Sequence, residues 1–256
     1  MPQPAYFTAP TGLTIAHIHA APTDPAAPTL VFLPGYMSDM SGSKATALFD
    51  WAWARGHGCL LLDYSGCGQS EGQFAQGTLS RWRAEVVALI QAQVAGPVVL
   101  VGSSMGGWLM LLVAEALPAG KVAALVGIAA APDFTDWGYA PEQKALLAAG
   151  DTVLEPNPYG PEPTPTHAAF WADGQANRLL GRTIRFDGPV RLLQGMADAD
   201  VPWHTAPALA LALRSAQVQV HLVKDGDHRL SRPADIALLL GAVADALAAA
   251  CSDPPC

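Results

Sequence analysis

Apolar residues along the chain fall into short unbroken runs, separated by longer stretches in which apolar positions recur three and four apart. TLVFLPG (29–35), CLLLDYS (59–65), VVLVGSS (98–104), KVAALVGIAAA (121–131), VRLLQGM (190–196) and VQVHLVK (218–224) are too short and too continuously apolar for surface helices. A turn signal follows nearly every one, so they read as strands. Between them, Ser43 to Arg55, Leu79 to Val94, Met105 to Leu117, Trp203 to Arg214 and Ala234 to Ala249 read as helices. Strands apolar on both faces and joined by helices predict an α/β fold, a mostly parallel central sheet flanked by helices. The segment Leu13 to His19 alternates instead, as an antiparallel edge hairpin strand does.

The alternation breaks once. Between Ala131 and Val190 no strand signal occurs, only two helix-like pieces, Pro141 to Ala149 and His167 to Leu180. The proline-rich EPNPYGPEPTP that joins them can be neither helix nor central strand. An insertion of this length between two parallel strands predicts a small helical lid over the C-terminal sheet edge. Trp137, Tyr139, Phe170 and Trp171 favour a packed lid, because disordered segments are poor in aromatics. The division that follows is a core of residues 1–132 and 187–256, with residues 133–186 as lid or cap.

Composition narrows the partners. The formal net charge is −8 with only 14 lysines and arginines, and no basic cluster stands out, which argues against a nucleic-acid partner. The opening MPQPAYFTAP has neither a cationic, apolar signal pattern nor an Arg-rich transit pattern, and the run Lys121 to Ala131 is too short to span a bilayer. A cytoplasmic protein with no integral membrane segment is the expectation. Four cysteines make no disulfide framework in 256 residues. Cys59 reads as a buried apolar residue, Cys67 lies in a glycine-rich loop, and Cys251 and Cys256 share a tail where pairing is sterically possible. No Cys/His spacing resembles a metal site, and no cofactor is implied.

The candidate chemistry begins at Gly102-Ser103-Ser104-Met105-Gly106, a G-x-S-x-G pattern that directly follows a strand and directly precedes an apolar-periodic helix. The central serine of such a turn has a strained backbone, and bulk two residues to either side collides with it. That selects Ser104 and leaves Ser103 as a strand end. A phosphate-cradling loop is set aside because both the G-K-[ST] ending and the G-x-G-x-x-G spacing are missing.

A serine needs a base, and the base an orienting acid. After Ser104, the loop leaving LLQGMADADVPW offers Asp198, with Asp200 better suited to a turn or helix cap. His228 follows the last strand. His17, His19 and His221 fall in strand patterns and His57 in a turn, which leaves His204 and His167 as the others that could approach the site. Asp225 and Asp227 read as loop-shaping. For a tetrahedral oxyanion, the backbone N–H of Met105 and that of Tyr36, after the strand TLVFLPG, are the candidate donors.

LPGYMSDMSGSKA, LLLDYSGCGQSEG, LVGSSMGGWLML, LLQGMADADVPWHT and KDGDHRLS together resemble the α/β-hydrolase superfamily. Within it they are most similar to the group of the mitochondrial palmitoyl-protein thioesterase and acyl-glucuronide esterase. The likeness runs from Thr29 to Leu247 and fails mainly in the proline-rich part of the insertion. It implies the α/β-hydrolase fold, Ser104 as nucleophile, Asp198 as acid and His228 as base. It also implies a cofactor-free serine hydrolase acting on small-molecule or acyl-protein esters and thioesters. A proline-type peptidase, a lyase on the same fold and a non-catalytic binding module are the competing readings.

Overall fold

The computed structural model describes residues 2–157 and 160–252. Its strands are β1 (Ala5–Thr8), β2 (Thr14–Ala20), β3 (Thr29–Leu33), β4 (Gly58–Leu62), β5 (Val98–Ser103), β6 (Val122–Ile128), β7 (Thr152–Glu155), β8 (Thr164–His167), β9 (Val190–Gly195) and β10 (Val218–Val223). The helices are α1 (Ser43–Trp53), α2 (Leu79–Gln93), α3 (Met105–Ala116), α4 (Phe134–Trp137), α5 (Pro141–Ala148), α6 (Ala168–Ala176), α7 (Thr205–Ala212) and α8 (Pro233–Ser252).

Eight strands form one sheet in the order β1-β2-β4-β3-β5-β6-β9-β10, parallel except for β1 and β2. The chain belongs to the α/β class, and every residue of β3, β4, β5 and β9 is buried, as strands covered on both faces require. Strand alternation divides the core in two. Leu30, Phe32, Val99 and Val101 pack with Leu48 and Phe49 of α1 and Leu239, Val243 and Leu247 of α8. Val31, Leu33, Val98 and Leu100 pack on the opposite face with α2, α3 and α7, through Trp82, Trp108 and Leu209.

The six apolar runs are strands of the main sheet, but other elements differ from the expectations. β2 is not an edge. It pairs with β1 on one edge and β4 on the other, and is buried at Ile15, Ala16, His17 and Ile18 in succession because Ile15 enters one core cluster and Ala16 and Ile18 the other. The insertion contains an antiparallel hairpin, β7–β8, where no strand was expected. Pro165 is tolerated there because the ladder has only two strands. α7 is shorter than its apolar pattern, starting at Thr205 after Pro202 and the exposed Trp203. α8 is longer, and its Pro233–Cys251 stretch, with mean hydropathy 1.9, is long and apolar enough to cross a membrane by length and composition. This corrects the expectation of no such segment, which follows from the shorter run Lys121 to Ala131 alone. In this fold α8 lies against β6 and β9 with Leu239, Val243 and Leu247 in the core. Cys59 and Cys67 are buried free thiols and Cys251 is an exposed one, whereas Cys256 lies outside the described residues.

The residues between β6 and β9 are pinned at their base. Asp133, with φ +61°, accepts hydrogen bonds from the N–H groups of Leu179 (2.7 Å) and Leu180 (2.8 Å). Above that clamp, Tyr139, Leu147 and Val153 form a separate small cluster with Phe134 and Trp171.

Candidate active site

At the C-terminal end of β5 the chain turns sharply into α3, and Ser104 sits on the turn with φ +55° and ψ −121°. This left-handed backbone is costly for a residue with a Cβ. Neighbouring bonds hold it: Ser104 N–H donates to Ile128 O (2.9 Å), and Ser104 O accepts from Gly107 (2.8 Å) and Ala131 (3.1 Å). The glycines are dictated by contact. A Cβ at Gly102 would lie 2.3 Å from Gly106 O, and one at Gly106 would lie 2.1 Å from Leu33 O and 2.4 Å from Pro34 O. The absence of side chains thus lets α3 butt against the ends of β3 and β5.

The structure brings Ser104, His228 and Asp198 into one line. Ser104 Oγ is 3.1 Å from His228 Nε2, and His228 Nδ1 is 2.9 Å from Asp198 Oδ2. A carboxylate only accepts, so a neutral imidazole carries its proton on Nδ1 and leaves Nε2 free to accept the serine hydroxyl. The two loops meet because Gly195, at the end of β9, lies against Gly226, where a Cβ would come within 2.2 Å of the Gly226 carbonyl. Asp225 pairs with Arg232 (2.7 Å) and Asp227 accepts from Leu230 N–H (3.0 Å), so both shape the histidine's loop. His17 and His19 are on β2, His221 on β10 and His57 just before β4. His167 ends β8 and pairs with Thr152, and His204 caps α7.

Asp198 has no exposed side-chain surface. Burial acts to raise its pKa, but the hydrogen bond and charge of His228 and the Val201 and Asp200 N–H groups outweigh it and lower the value. Its Oδ1 accepts from Asp200 N–H (2.9 Å) and Val201 N–H (2.8 Å). Its Oδ2 also accepts from Gln194 Nε2 (3.0 Å). Ligand-capable atoms of Asp198, Asp200 and His228 lie within 4.8 Å of one another, but a cation there would have to break the hydrogen-bonded chain, which uses both imidazole nitrogens.

Tyr36 and Met105 line the same cavity as Ser104. Met105 opens α3, where the first N–H groups have no helical acceptor. Tyr36 follows Gly35, where an added Cβ would sit 3.4 Å from Ser103 O and from the Ser104 Cβ, so this loop runs beside the nucleophile turn. Among the described residues, neither N–H donates to a backbone carbonyl. The Tyr36 ring packs among Phe74, Phe134 and Phe170, and its hydroxyl donates to Pro165 O (3.0 Å) in the hairpin.

Ser104 and His228 open into a cavity of about 660 Å³. Its lining includes the apolar and aromatic Met105, Ala131, Phe134, Trp137 and Tyr139 and the charged Asp39, Lys44, Asp200 and Arg229. Burial pushes the Lys44 ammonium down to about 8, and its Nζ donates to Arg229 O. Lys44 and Gln194 were not singled out in the sequence. For Gln194 a signal was present, an uncharged polar residue inside the apolar run VRLLQG.

Residues 30–250 match the alpha/beta hydrolase family. The chain belongs to that family. The mitochondrial palmitoyl-protein thioesterase ABHD10 of Homo sapiens is 40% identical over 222 residues, covering 85% of this chain and 72% of the relative. The solved structure of mouse alpha/beta hydrolase domain-containing protein 10 superposes with a TM-score of 0.87 at 34% identity, over 95% of this chain and 98% of that one. A crystal structure from Agrobacterium vitis S4, described only as a hydrolase, gives 0.90 at 39% identity, over 96% and 100% of the two chains. As an α/β hydrolase with such relatives, the chain is an enzyme of the esterase-type hydrolase class. The cytoplasmic expectation is overturned by the relatives, whose names place them in the mitochondrion. An opening without a leader pattern looks the same in a cytoplasmic protein and in one whose leader has been removed.

Proposed function

We propose that this α/β hydrolase cleaves acyl esters or thioesters through a covalent acyl-enzyme, with Ser104 as nucleophile, His228 as base and Asp198 as orienting acid. The observation that carries the proposal is the hydrogen-bonded chain from Ser104 Oγ through His228 to Asp198 at the floor of the cavity. His228 Nε2 takes the hydroxyl proton as Ser104 Oγ bonds to the acyl carbon. Asp198 holds the imidazole by Nδ1 and stabilises the imidazolium. Charge developing on the acyl oxygen is received by the N–H groups of Tyr36 and Met105, pre-aimed donors that need not reorganise. The imidazolium then protonates the departing alkoxide or thiolate. Water, deprotonated by His228, attacks the acyl-enzyme, and the acid and free serine return.

In this reading residues 133–186 form a lid that supplies Phe134, Trp137 and Tyr139 as an acyl-binding wall. The mitochondrial relatives are named palmitoyl-protein thioesterases, which supports acyl thioesters beside oxygen esters as substrates. The test is a panel of p-nitrophenyl esters, acyl thioesters and aminoacyl amides, from acetyl to palmitoyl, assayed with the wild type and Ser104→Ala. The proposal expects ester or thioester hydrolysis that falls by roughly 10³-fold or more in the variant. Turnover retained by Ser104→Ala, or cleavage of the amides alone, overturns it.

A further inference from the structure

Gln194 is the last side chain of β9 before the turn and is completely buried. Its Nε2 faces three acceptors: Asp198 Oδ2 at 3.0 Å, Gly195 O at 3.2 Å and Val201 O at 3.3 Å. Its Oε1 is buried with no partner among the described residues. The orientation of the amide follows from its surroundings, because turning it over would aim an oxygen at a carboxylate and two carbonyls. A buried, half-satisfied amide is a cost that an apolar side chain of the same size avoids. Its hydrogens also converge on the loop that carries Asp198, and one reaches the oxygen that His228 uses.

We propose that Gln194 is a positioning residue of the reaction: its amide holds the Asp198 carboxylate in the plane that receives His228 Nδ1–H and draws part of the charge from the shared Oδ2. This rests on the Ser104–His228–Asp198 reading. With the two backbone N–H groups on Oδ1, Gln194 and His228 complete four donors to one carboxylate. Without the amide hydrogen, Oδ1 remains anchored while Oδ2 loses its second restraint. The charge it carries then falls on the imidazole alone, which favours imidazolium and misaligns the base.

The charged groups that share the cavity lining or the neighbouring loops with His228 include Asp198 and Asp200 after β9, Asp227 and Arg229 in its own loop, Lys44 in α1, Asp39 before α1, and Glu155 at the end of β7. All are common to the wild type and the variants below, so comparison at each pH isolates position 194.

The experiment measures kcat, KM, melting temperature and the pH profile of kcat/KM for Gln194→Met and Gln194→Glu, with Ser104→Ala in parallel. Gln194→Met keeps the volume and removes the donor. The expected result is kcat lower by about tenfold at unchanged KM, and an acid limb moved to higher pH by about half a unit. A variant that melts lower but keeps the wild-type kcat and acid limb shows Gln194 to be a structural filler and overturns the proposal. Should the Met variant not fold, Gln194→Glu decides. Its carboxyl donates to Asp198 while protonated and repels it once ionised, so activity falls on the alkaline side where the wild type stays level. A wild-type alkaline profile overturns the proposal. Turnover in Ser104→Ala separates failure of the triad reading from failure of the role given to Gln194.

Discussion

Replacing Gly106 by alanine tests how the nucleophile turn is built. The new Cβ would sit 2.1 Å from Leu33 O and 2.4 Å from Pro34 O, both backbone atoms that cannot swing away. Ordinary contact needs about 3.4 Å, so α3 and the end of β3 must part by roughly 1 Å. Overpacking of this kind costs about 1–3 kcal/mol, and a domain of this size loses about 2–4 °C of Tm per kcal/mol. The functional consequence is larger than the thermal one. The displaced atoms lie immediately before Gly35 and Tyr36, while Met105 adjoins Gly106, so the two N–H groups beside Ser104 move apart. A misplacement near 1 Å costs about 10²-fold in rate. The assay is kcat/KM on a p-nitrophenyl ester beside a thermal melt. The expected outcome is a folded protein, a few degrees less stable, with kcat/KM down by about 10²-fold and KM changed little. Wild-type activity in a protein carrying this substitution would refute the reasoning that the close approach of α3 to β3 sets the site.

Two other perturbations test separate parts. In Asp198→Asn the side-chain oxygen stays toward the Asp200 and Val201 N–H groups, so the NH₂ faces His228 and also meets the Gln194 Nε2 donor, whose hydrogen bond to this position is lost. The imidazole must then present a lone pair at Nδ1 and a proton at Nε2, which cannot accept from Ser104, and kcat should fall by roughly 10³–10⁴-fold, with the melting temperature lowered by the lost Gln194 bond, about 1–3 kcal/mol. Burial lowers the pKa values of His17 and His19, whose Nδ1 and Nε2 respectively are buried without partners among the described residues. Below about pH 6.5 the unfolded chain therefore binds more protons at these positions than the folded one, and stability is lost as pH falls; above it they contribute no slope. Asp63, Glu85 and Asp133, raised by burial, bend the profile the other way at acid pH, so the comparison is between wild type and His17→Leu. The variant should lose less melting temperature than the wild type between about pH 7.5 and 5.5, and equal losses would refute the account.

Those perturbations depend on features that differ in how far they can be read from sequence. The core strands are legible because burial on both faces leaves continuous apolar runs such as TLVFL, and the glycine spacing around Ser104 reflects local backbone contact. β1 is not, since AYFT is short and largely exposed and becomes a strand only by pairing with β2. The β7–β8 hairpin carries Pro165 and few buried residues, and its order depends on Tyr36 and Tyr139 reaching Pro165 and Thr166 from distant parts of the chain. Asp198 and His228 can be found by chain order and strand-end position. Gln194 and Lys44 acquire their surroundings only when loops far apart in sequence meet, so pattern alone passes over them. Residues 133–186 diverge from regular periodicity for the same reason: their aromatic contacts run to Trp82, Trp108 and Tyr36 in the core.

The central claim is a covalent bond at Ser104, and trapping tests it most directly. The wild type and Ser104→Ala are incubated with a fluorophosphonate, and intact mass is followed by peptide mapping. The account predicts one adduct per wild-type chain, mapped to Ser104, lost in Ser104→Ala together with ester turnover while the melting temperature is kept. An adduct on another residue, or labelling and turnover that survive in Ser104→Ala, would contradict it.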